Sequence, residues 1–201
     1  MSATYFEQCK RSFADVPSEN GVDTLAFIEA CEGLVKLFDL LGNTAFKVVQ
    51  NDMNGNIAKV NNRLQETGPE RSGTLEKLVQ NEGPGGTPKR TATEGLMWLL
   101  RGLDFTAQAM RNSLTNKNEE LATSFTNAYG STLRPYHGML VRPVFGLAMK
   151  ACPYRKDFYS KLGSPPEKVD EELEKWLSGL ERIVAHMKSF YASGNYEKGF
   201  K

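Results

Sequence analysis

The stretch Asp23-Thr-Leu-Ala-Phe-Ile-Glu-Ala-Cys-Glu-Gly-Leu-Val-Lys-Leu-Phe-Asp-Leu-Leu-Gly42 indicates the fold class. Its apolar residues recur three and four positions apart, a spacing that places them on one face of an α-helix. Asp23 has the short carboxylate that caps a helix N-terminus, and Gly42 suits the position just after a helix end. The expected apolar stripe consists of Leu25, Ile28, Leu34, Leu37, Phe38 and Leu41.

The same helical spacing continues through most of the 201 residues, and no segment shows the alternation of apolar and polar residues that is typical of a strand. We therefore predict an all-α fold, in a single domain over residues 1–201. Further helices are expected over about 46–66, 91–112, 118–129 and 135–152, and from about 165 onward.

Prolines and glycines predict where helices bend or begin. Pro143 lies inside the helix expected over about 135–152, where its missing amide proton predicts a kink. In Ser164-Pro-Pro-Glu167, Ser164 is the expected N-cap of the last helix, with proline at the first helical position. The glycines and prolines of residues 81–90 predict a surface loop.

Composition excludes several classes of function. The 25 Lys and Arg residues nearly balance the 24 Asp and Glu residues, so no overall field attracts a nucleic acid. Cys9, Cys31 and Cys152 are widely spaced, which argues against a disulfide framework or a zinc site. No targeting segment is readable, and we expect a cytoplasmic protein without metal or cofactor. No catalytic motif is present, so a hydrolase is a weak alternative.

A polar stripe runs along the second expected helix. Asp52, Asn56, Lys59 and Arg63 are spaced by four, three and four residues, so they share one side of that helix. Such a stripe is usually a solvated surface, and the spacing alone does not distinguish a binding site from it.

The segment from Ser131 to Lys156 contains five cations and no acidic residue. Tyr136, Met139 and Leu140 add aromatic and apolar side chains at helical spacing. A cationic surface with apolar tips suits an anionic membrane surface, and a solvated basic face is the alternative.

Four separated motifs together resemble the glycolipid transfer protein family, and most closely its fungal members linked to heterokaryon incompatibility. The resemblance implies a two-layer sandwich of helices that encloses an apolar pocket for the two chains of the lipid, and a carrier that is not an enzyme. The motifs are Asp52-Met-Asn-Gly-Asn-Ile-Ala-Lys59, Leu96-Met-Trp-Leu-Leu-Arg-Gly-Leu103, Pro135-Tyr-His-Gly138 and Ala151-Cys-Pro-Tyr-Arg-Lys-Asp-Phe158.

The resemblance implies a role for each residue of a headgroup site. Asp52 and Asn56 would hydrogen-bond the hydroxyls of the first sugar, and Lys59 would reach a sugar oxygen. Trp98 would stack on the sugar ring, and His137 would bind the carbonyl oxygen of the ceramide amide. The sequence pattern alone favours a core position for Trp98 and a structural role for His137.

The pocket for the lipid chains would be lined by apolar residues on the inward stripes of several helices. In an all-α protein such residues could equally fill a dry core, and the sequence does not separate the two cases. The candidate lining residues are Phe38, Leu41, Phe46, Val49, Phe105, Val141, Phe145 and Leu147.

The expected function is transfer of a glycosphingolipid between membranes by a peripheral protein. Relatives that carry ceramide-1-phosphate place a cation where Trp98 stands, so Trp98 favours a sugar over a phosphate. Membrane contact is expected at Arg134, Tyr136 and Met139, where Met139 replaces a tryptophan of animal relatives. The alternatives are a ceramide-1-phosphate carrier and a sensor that reports glycolipid level to a protein partner.

Overall fold

The computed structural model describes residues 3–42 and 44–200. Over these residues it contains α-helices, short 3-10 turns and two isolated β-bridges, and no strand, so the all-α prediction is confirmed. The helices are α1 (Tyr5–Gln8), α2 (Thr24–Leu40), α3 (Lys47–Ser72), α4 (Leu75–Glu82), α5 (Thr91–Thr115), α6 (Leu121–Ser131), α7 (Val141–Lys150), α8 (Arg155–Leu162) and α9 (Pro166–Ser193).

Helix α2 begins and ends as its sequence predicts. The Oδ1 atom of Asp23 accepts a hydrogen bond from the amide of Ala26 at 2.8 Å, and Gly42 takes a φ of 67° just beyond the helix. The apolar stripe is buried with one exception. Leu25 is 53% exposed, because it lies in the first turn and faces an open groove beside Leu64 and Pro69. Its assignment to the buried stripe was wrong.

The prediction of one bent helix over about 135–152 was wrong. The chain forms a 3-10 turn at Arg134–Tyr136 and then a separate helix, α7. Pro143 is the third residue of α7, where the amide of any residue would lack a partner within the helix, so no kink arises. Residues 137–140 therefore form a connection on which His137 is placed.

The predicted start of α9 was also wrong by one residue. Pro165 occupies the N-cap position and no side chain caps the helix, so Ser164 does not serve as the cap. The break near the end of α3 follows from Gly68, whose φ of 74° interrupts the helix before Pro69. The short helices α4 and α8 were not predicted.

Helix α5 is the central element, and it packs against α3, α4, α6 and α9. Helix α2 packs on α3, and α7 packs on α6. Gly95 of α5 lets α3 approach closely, because a Cβ there would lie 2.8 Å from Cδ of Lys59. Among the described helices, none has the length and apolar character needed to cross a bilayer.

Candidate functional site

Three polar residues of α3 form a connected row. Nδ2 of Asn56 lies 3.5 Å from Oδ2 of Asp52, and Nζ of Lys59 donates to Oδ1 of Asn56 at 3.1 Å. Asn56 is only 4% exposed, so its amide is held in place and is not part of a freely solvated surface. Arg63 departs from the row, because it donates to the carbonyl of Asn81 at 3.3 Å. The structure therefore selects three of the four residues in the predicted stripe.

The carboxylate of Asp52 combines exposure with partial desolvation. The residue as a whole is exposed, but protein atoms around the carboxylate exclude part of its water and raise its pKa above the ordinary 3.8. The positive charge of Lys59 opposes that shift. At neutral pH the row presents an ionised acceptor, an amide and an ammonium group next to one another.

Gly95 places this row beside the aromatic part of the site. Since the Lys59 side chain crosses α5 at Gly95, any larger residue there would displace it. Trp98 follows three residues later, which is close to one turn along α5. The role of Gly95 was not predicted, although a glycine in the interior of a long apolar helix is a signal of close helix packing.

Trp98 is partly buried among aromatic and cationic groups. The Cζ atom of Arg101 lies 4.6 Å from the centroid of the Trp98 ring and 3.7 Å from that of Tyr136. The rings of Trp98 and Tyr136 meet edge to face, with centroids 6.3 Å apart and an angle of 81° between their planes. The His137 ring lies 6.3 Å from that of Trp98 at an angle of 22°. The structure thus brings Trp98 and His137 together.

His137 is held as a neutral side chain. Its Nδ1 atom lies 3.1 Å from the hydroxyl of Tyr129, and its own carbonyl accepts from Nε of Arg142 at 2.8 Å. Burial, with a further contribution from the charge of Arg142, lowers its pKa below the ordinary 6.5. We assign the tautomer in which the Tyr129 hydroxyl donates to Nδ1. Nε2 then bears the proton and can donate to a carbonyl oxygen of a ligand.

The candidate lining residues divide into two sets. Phe38, Leu41, Phe46, Val49, Phe105 and Phe145 are buried.

Val141 and Leu147 belong to the second set, because they are 40% and 67% exposed on the outer side of α7. Helix α7 buries a different face, formed by Phe145, Ala148 and Met149. The expectation that Val141 and Leu147 line an enclosed pocket was wrong for this structure.

Buried rings connect His137 to the interior in a series that we name the ring chain. Neighbouring rings along it have centroids 4.5 to 6.4 Å apart, and the interior is closed where they meet. A hydrocarbon chain can therefore enter only if these rings move apart. Phe125 and Tyr129 belong to this series and were not predicted. In order, the ring chain consists of His137, Phe145, Tyr129, Phe105, Phe125, Phe46 and Phe38.

An exposed apolar surface lies directly outside the ring chain, and we name it the outer face of α7. Met139 and Leu140 are 85% and 91% exposed, and Val144 and Leu147 extend the surface along α7. Tyr136 is half exposed at its edge, and Arg134 is exposed beside it. The three residues predicted for membrane contact thus border one apolar surface.

Known proteins that match this chain identify its family. The family model "Glycolipid transfer protein (GLTP)" matches residues 22–164. The chain is 54% identical over 191 residues to a glycolipid transfer protein of Aureobasidium melanogenum, covering 94% of each. It is 37% identical over 186 residues to the human pleckstrin homology domain-containing family A member 8, covering 90% of this chain and 35% of that one. This chain belongs to the glycolipid transfer protein family.

Solved structures agree with that assignment. The crystal structure of HET-C2, a fungal glycolipid transfer protein, matches with a TM-score of 0.91 and 45% identity, over 96% of this chain and all (100%) of that chain. A structure of the glycolipid transfer protein fold of FAPP2 matches with a TM-score of 0.86 and 32% identity, over 98% of both chains. Mouse ceramide-1-phosphate transfer protein, at 21% identity over 96% of this chain and 94% of its own, shares the fold with a TM-score of 0.82. The predicted family and its fold are confirmed.

Proposed function

We propose that this protein carries a glycosphingolipid between membranes, with the sugar at the α3 row and Trp98 and the two hydrocarbon chains along the ring chain. One observation supports this assignment most directly. Lys59 of the α3 row crosses α5 at Gly95, about one turn before Trp98, and the pair of Trp98 and His137 continues into the ring chain. The polar groups that would bind the sugar thus lead directly into the apolar rings that would hold the hydrocarbon chains.

The polar groups match the edge and face of a sugar. Ionised Asp52 accepts hydrogen bonds from paired hydroxyls, Asn56 both accepts and donates, and Lys59 donates to an oxygen. The flat indole of Trp98 offers an apolar face to the C–H groups of the ring. Nε2 of His137 is suited to donate to the amide carbonyl of the ceramide, one step further inward.

The interior supplies the driving force for holding the hydrocarbon chains. Burial of hydrocarbon stabilises by about 0.8 kcal/mol per methylene, so one lipid chain of ordinary length gains on the order of 10 kcal/mol relative to water. Separating the rings loses packing energy, and contact between the rings and the lipid chains offsets that loss. A closed interior without ligand and an opened interior with ligand are therefore both accessible to the fold.

The outer face of α7 is suited to dock on a membrane during loading and release. Exposed Met139 and Leu140 can insert among the acyl chains at the membrane surface, and Arg134 can contact anionic headgroups, where each cation is worth about 1 kcal/mol. Because α7 carries Phe145 on its buried side, docking on its outer side acts next to one end of the ring chain. Transfer by this route requires neither catalysis nor ATP.

The aromatic platform favours a sugar over a phosphate headgroup. A phosphate is recognised best by charge-assisted donors in a fork, and an indole offers none. Arg101 lies nearby, but its guanidinium packs on the rings of Trp98 and Tyr136, and its Nη2 atom pairs with Glu197. A ceramide-1-phosphate carrier is for this reason the less favoured alternative.

Vesicle-to-vesicle transfer of fluorescent glucosylceramide tests the proposal. Asp52→Val and Trp98→Ala should each lower the transfer rate by about 100-fold, because each removes a contact made by the headgroup. Arg63→Ala is the matched control, since Arg63 shares the stripe but turns away from the row, and it should transfer like the wild type. Transfer that survives in both site variants would refute the site. Glucosylceramide should remain chemically intact throughout.

A further inference from the structure

Arg101 makes contacts that the sugar site itself does not explain. Its side chain is 11% exposed and lies between two rings, with Cζ 4.6 Å from the centroid of Trp98 and 3.7 Å from that of Tyr136. Its Nη2 atom donates to Oε2 of Glu197 at 3.0 Å. Nη1 is buried and has no hydrogen-bond partner among the described residues. One carboxylate and two rings therefore hold the guanidinium.

The position of Arg101 restricts how a sugar can use Trp98. The guanidinium covers one face of the indole, so a sugar that stacks on this ring has to use the opposite face. Without the guanidinium, a partly buried indole could turn toward the space that Arg101 leaves, and the stacking face would change direction.

Glu197 is fixed because the C-terminal segment Gly194–Phe200 is anchored elsewhere. Arg90 is 2% exposed, and it donates to the carbonyls of Tyr196 at 2.6 Å and Lys198 at 2.5 Å. Its Cζ atom also lies 4.3 Å from the ring centroid of Phe200. The two carbonyls that Arg90 binds belong to the residues on either side of Glu197. The backbone of Glu197 is therefore fixed at the point from which its carboxylate reaches Arg101.

We infer that Arg101 is a positioning residue, which holds the indole of Trp98 in the orientation that stacks on the sugar, and that Glu197 of the C-terminal segment holds Arg101 in turn. The inference rests on the proposed function, because it explains what orients the Trp98 ring on which the sugar is proposed to stack. It extends the site to a segment more than ninety residues away from Trp98 in the sequence.

The orientation of Trp98 can be measured by its fluorescence in a Trp176→Phe background. Trp176 is 1% exposed and its indole N–H has no hydrogen-bond partner within residues 3–42 and 44–200, so phenylalanine removes an unpaired donor at this site. Trp98 is then the remaining tryptophan. Arg101→Leu should increase acrylamide quenching of Trp98 about twofold, and Arg101→Lys should restore most of the wild-type value, because lysine retains the charge over the ring. Glu197→Gln should lie between them.

Transfer of glucosylceramide provides the second measurement. Arg101→Leu should lower the rate about tenfold, Arg101→Lys about threefold and Glu197→Gln about threefold, which are the sizes expected for loss of a partly desolvated cation–π contact and of an exposed ion pair. Arg111→Leu is the matched control on the same helix. Arg111 pairs with Glu181 through Nε at 2.9 Å and Nη2 at 2.8 Å, away from the site, and its variant should transfer like the wild type.

The outcomes separate this inference from the proposed function. A wild-type protein that fails to transfer glucosylceramide would refute the proposed function, while the quenching measurement would still test the hold of Arg101 on Trp98. If the wild type transfers and Arg101→Leu transfers equally well, the inference is overturned. An equal loss in Arg111→Leu overturns it too, because the effect would then follow from stability alone.

Discussion

Two groups of buried aromatic rings pack equally tightly but differ in what they connect. The first, the Trp176 cluster, places the rings of Phe6 and Phe13 at 5.5 and 5.4 Å from Trp176. It joins α1 and the 3-10 turn at Phe13–Asp15 to α9. The second is the ring chain, which begins at His137 beside Trp98. Packing alone does not distinguish a permanent core from a lining that opens.

The helices that cover the two groups differ in how much of their apolar surface they bury. Along α9 none of the large apolar side chains is exposed, and Gly179 packs so closely that a Cβ would lie 2.4 Å from the amide nitrogen of Ala14. Helix α7 buries only one narrow side and exposes Val144 and Leu147. A group of buried rings is therefore a candidate lining when it reaches a polar site and lies beneath a helix that buries only one side.

Truncation of one ring from each group should cause the largest loss in the free energy of unfolding. Phe13→Ala and Phe46→Ala both truncate fully buried rings, and each should lower the free energy of unfolding by about 3–5 kcal/mol. Saturating glucosylceramide should offset part of the loss in Phe46→Ala, because hydrocarbon can fill that cavity, and none of it in Phe13→Ala. Urea unfolding with and without the lipid measures both changes. Equal recovery in the two variants would remove the distinction between the groups.

Most of the helices that carry the two groups could be predicted from the sequence, because helical periodicity is a local property of the chain. Helical periodicity identified α2, α3, α5, α6 and α9, and the spacing of Asp52, Asn56 and Lys59 was sufficient to place them in one row.

What the sequence could not supply depends on contacts between distant segments. Whether Leu147 faces inward depends on which side of α7 meets α6, and that side is set by Phe145, Ala148 and Met149. The crossing of Lys59 over Gly95 likewise exists only once α3 and α5 pack together. Periodicity reports the presence of a face but not its partner.

The cover of the ring chain can be tested separately from its interior. The double variant Met139→Ser and Leu140→Ser should weaken binding to vesicles at least tenfold, because each side chain forfeits roughly 1–2 kcal/mol of burial in the membrane. The free energy of unfolding should change by less than about 0.5 kcal/mol, since both side chains are already exposed. Leu25→Ser is the control, because Leu25 is exposed on α2. Vesicle sedimentation that shows similar losses in both proteins would contradict a role specific to the outer face of α7.

The transfer rate should depend only weakly on pH, through two titrating groups of the headgroup site. Transfer should be constant from about pH 7 to 8 and fall as acid protonates His137, whose pKa lies below 6.5, and then Asp52, whose pKa lies above 3.8. The depressed pKa of His137 contributes stability that is present above 6.5 and lost as the pH falls through the folded value.

The raised pKa of Asp52 has the opposite sign. Its contribution to stability is present below 3.8 and is lost as the pH rises through the folded value, so Asp52→Asn should be slightly more stable than the wild type at pH 7. We expect the melting temperature to rise by no more than about 2 °C, because solvent screens an exposed carboxylate. The gain should vanish near pH 3, and a melting temperature below that of the wild type at pH 7 would contradict the assignment.

Fluorine NMR of protein labelled with 4-fluorophenylalanine can locate the bound lipid chains relative to the two groups of rings. On addition of vesicles that contain glucosylceramide, we predict that the resonances of Phe46, Phe105 and Phe145 shift, because hydrocarbon separates their rings, while those of Phe6 and Phe13 remain in place. Single Phe→Leu variants assign the signals, and vesicles without glucosylceramide are the control. If glucosylceramide binds and the resonances of the ring chain stay unchanged, the lipid chains lie outside the interior, and their proposed place along the ring chain is contradicted.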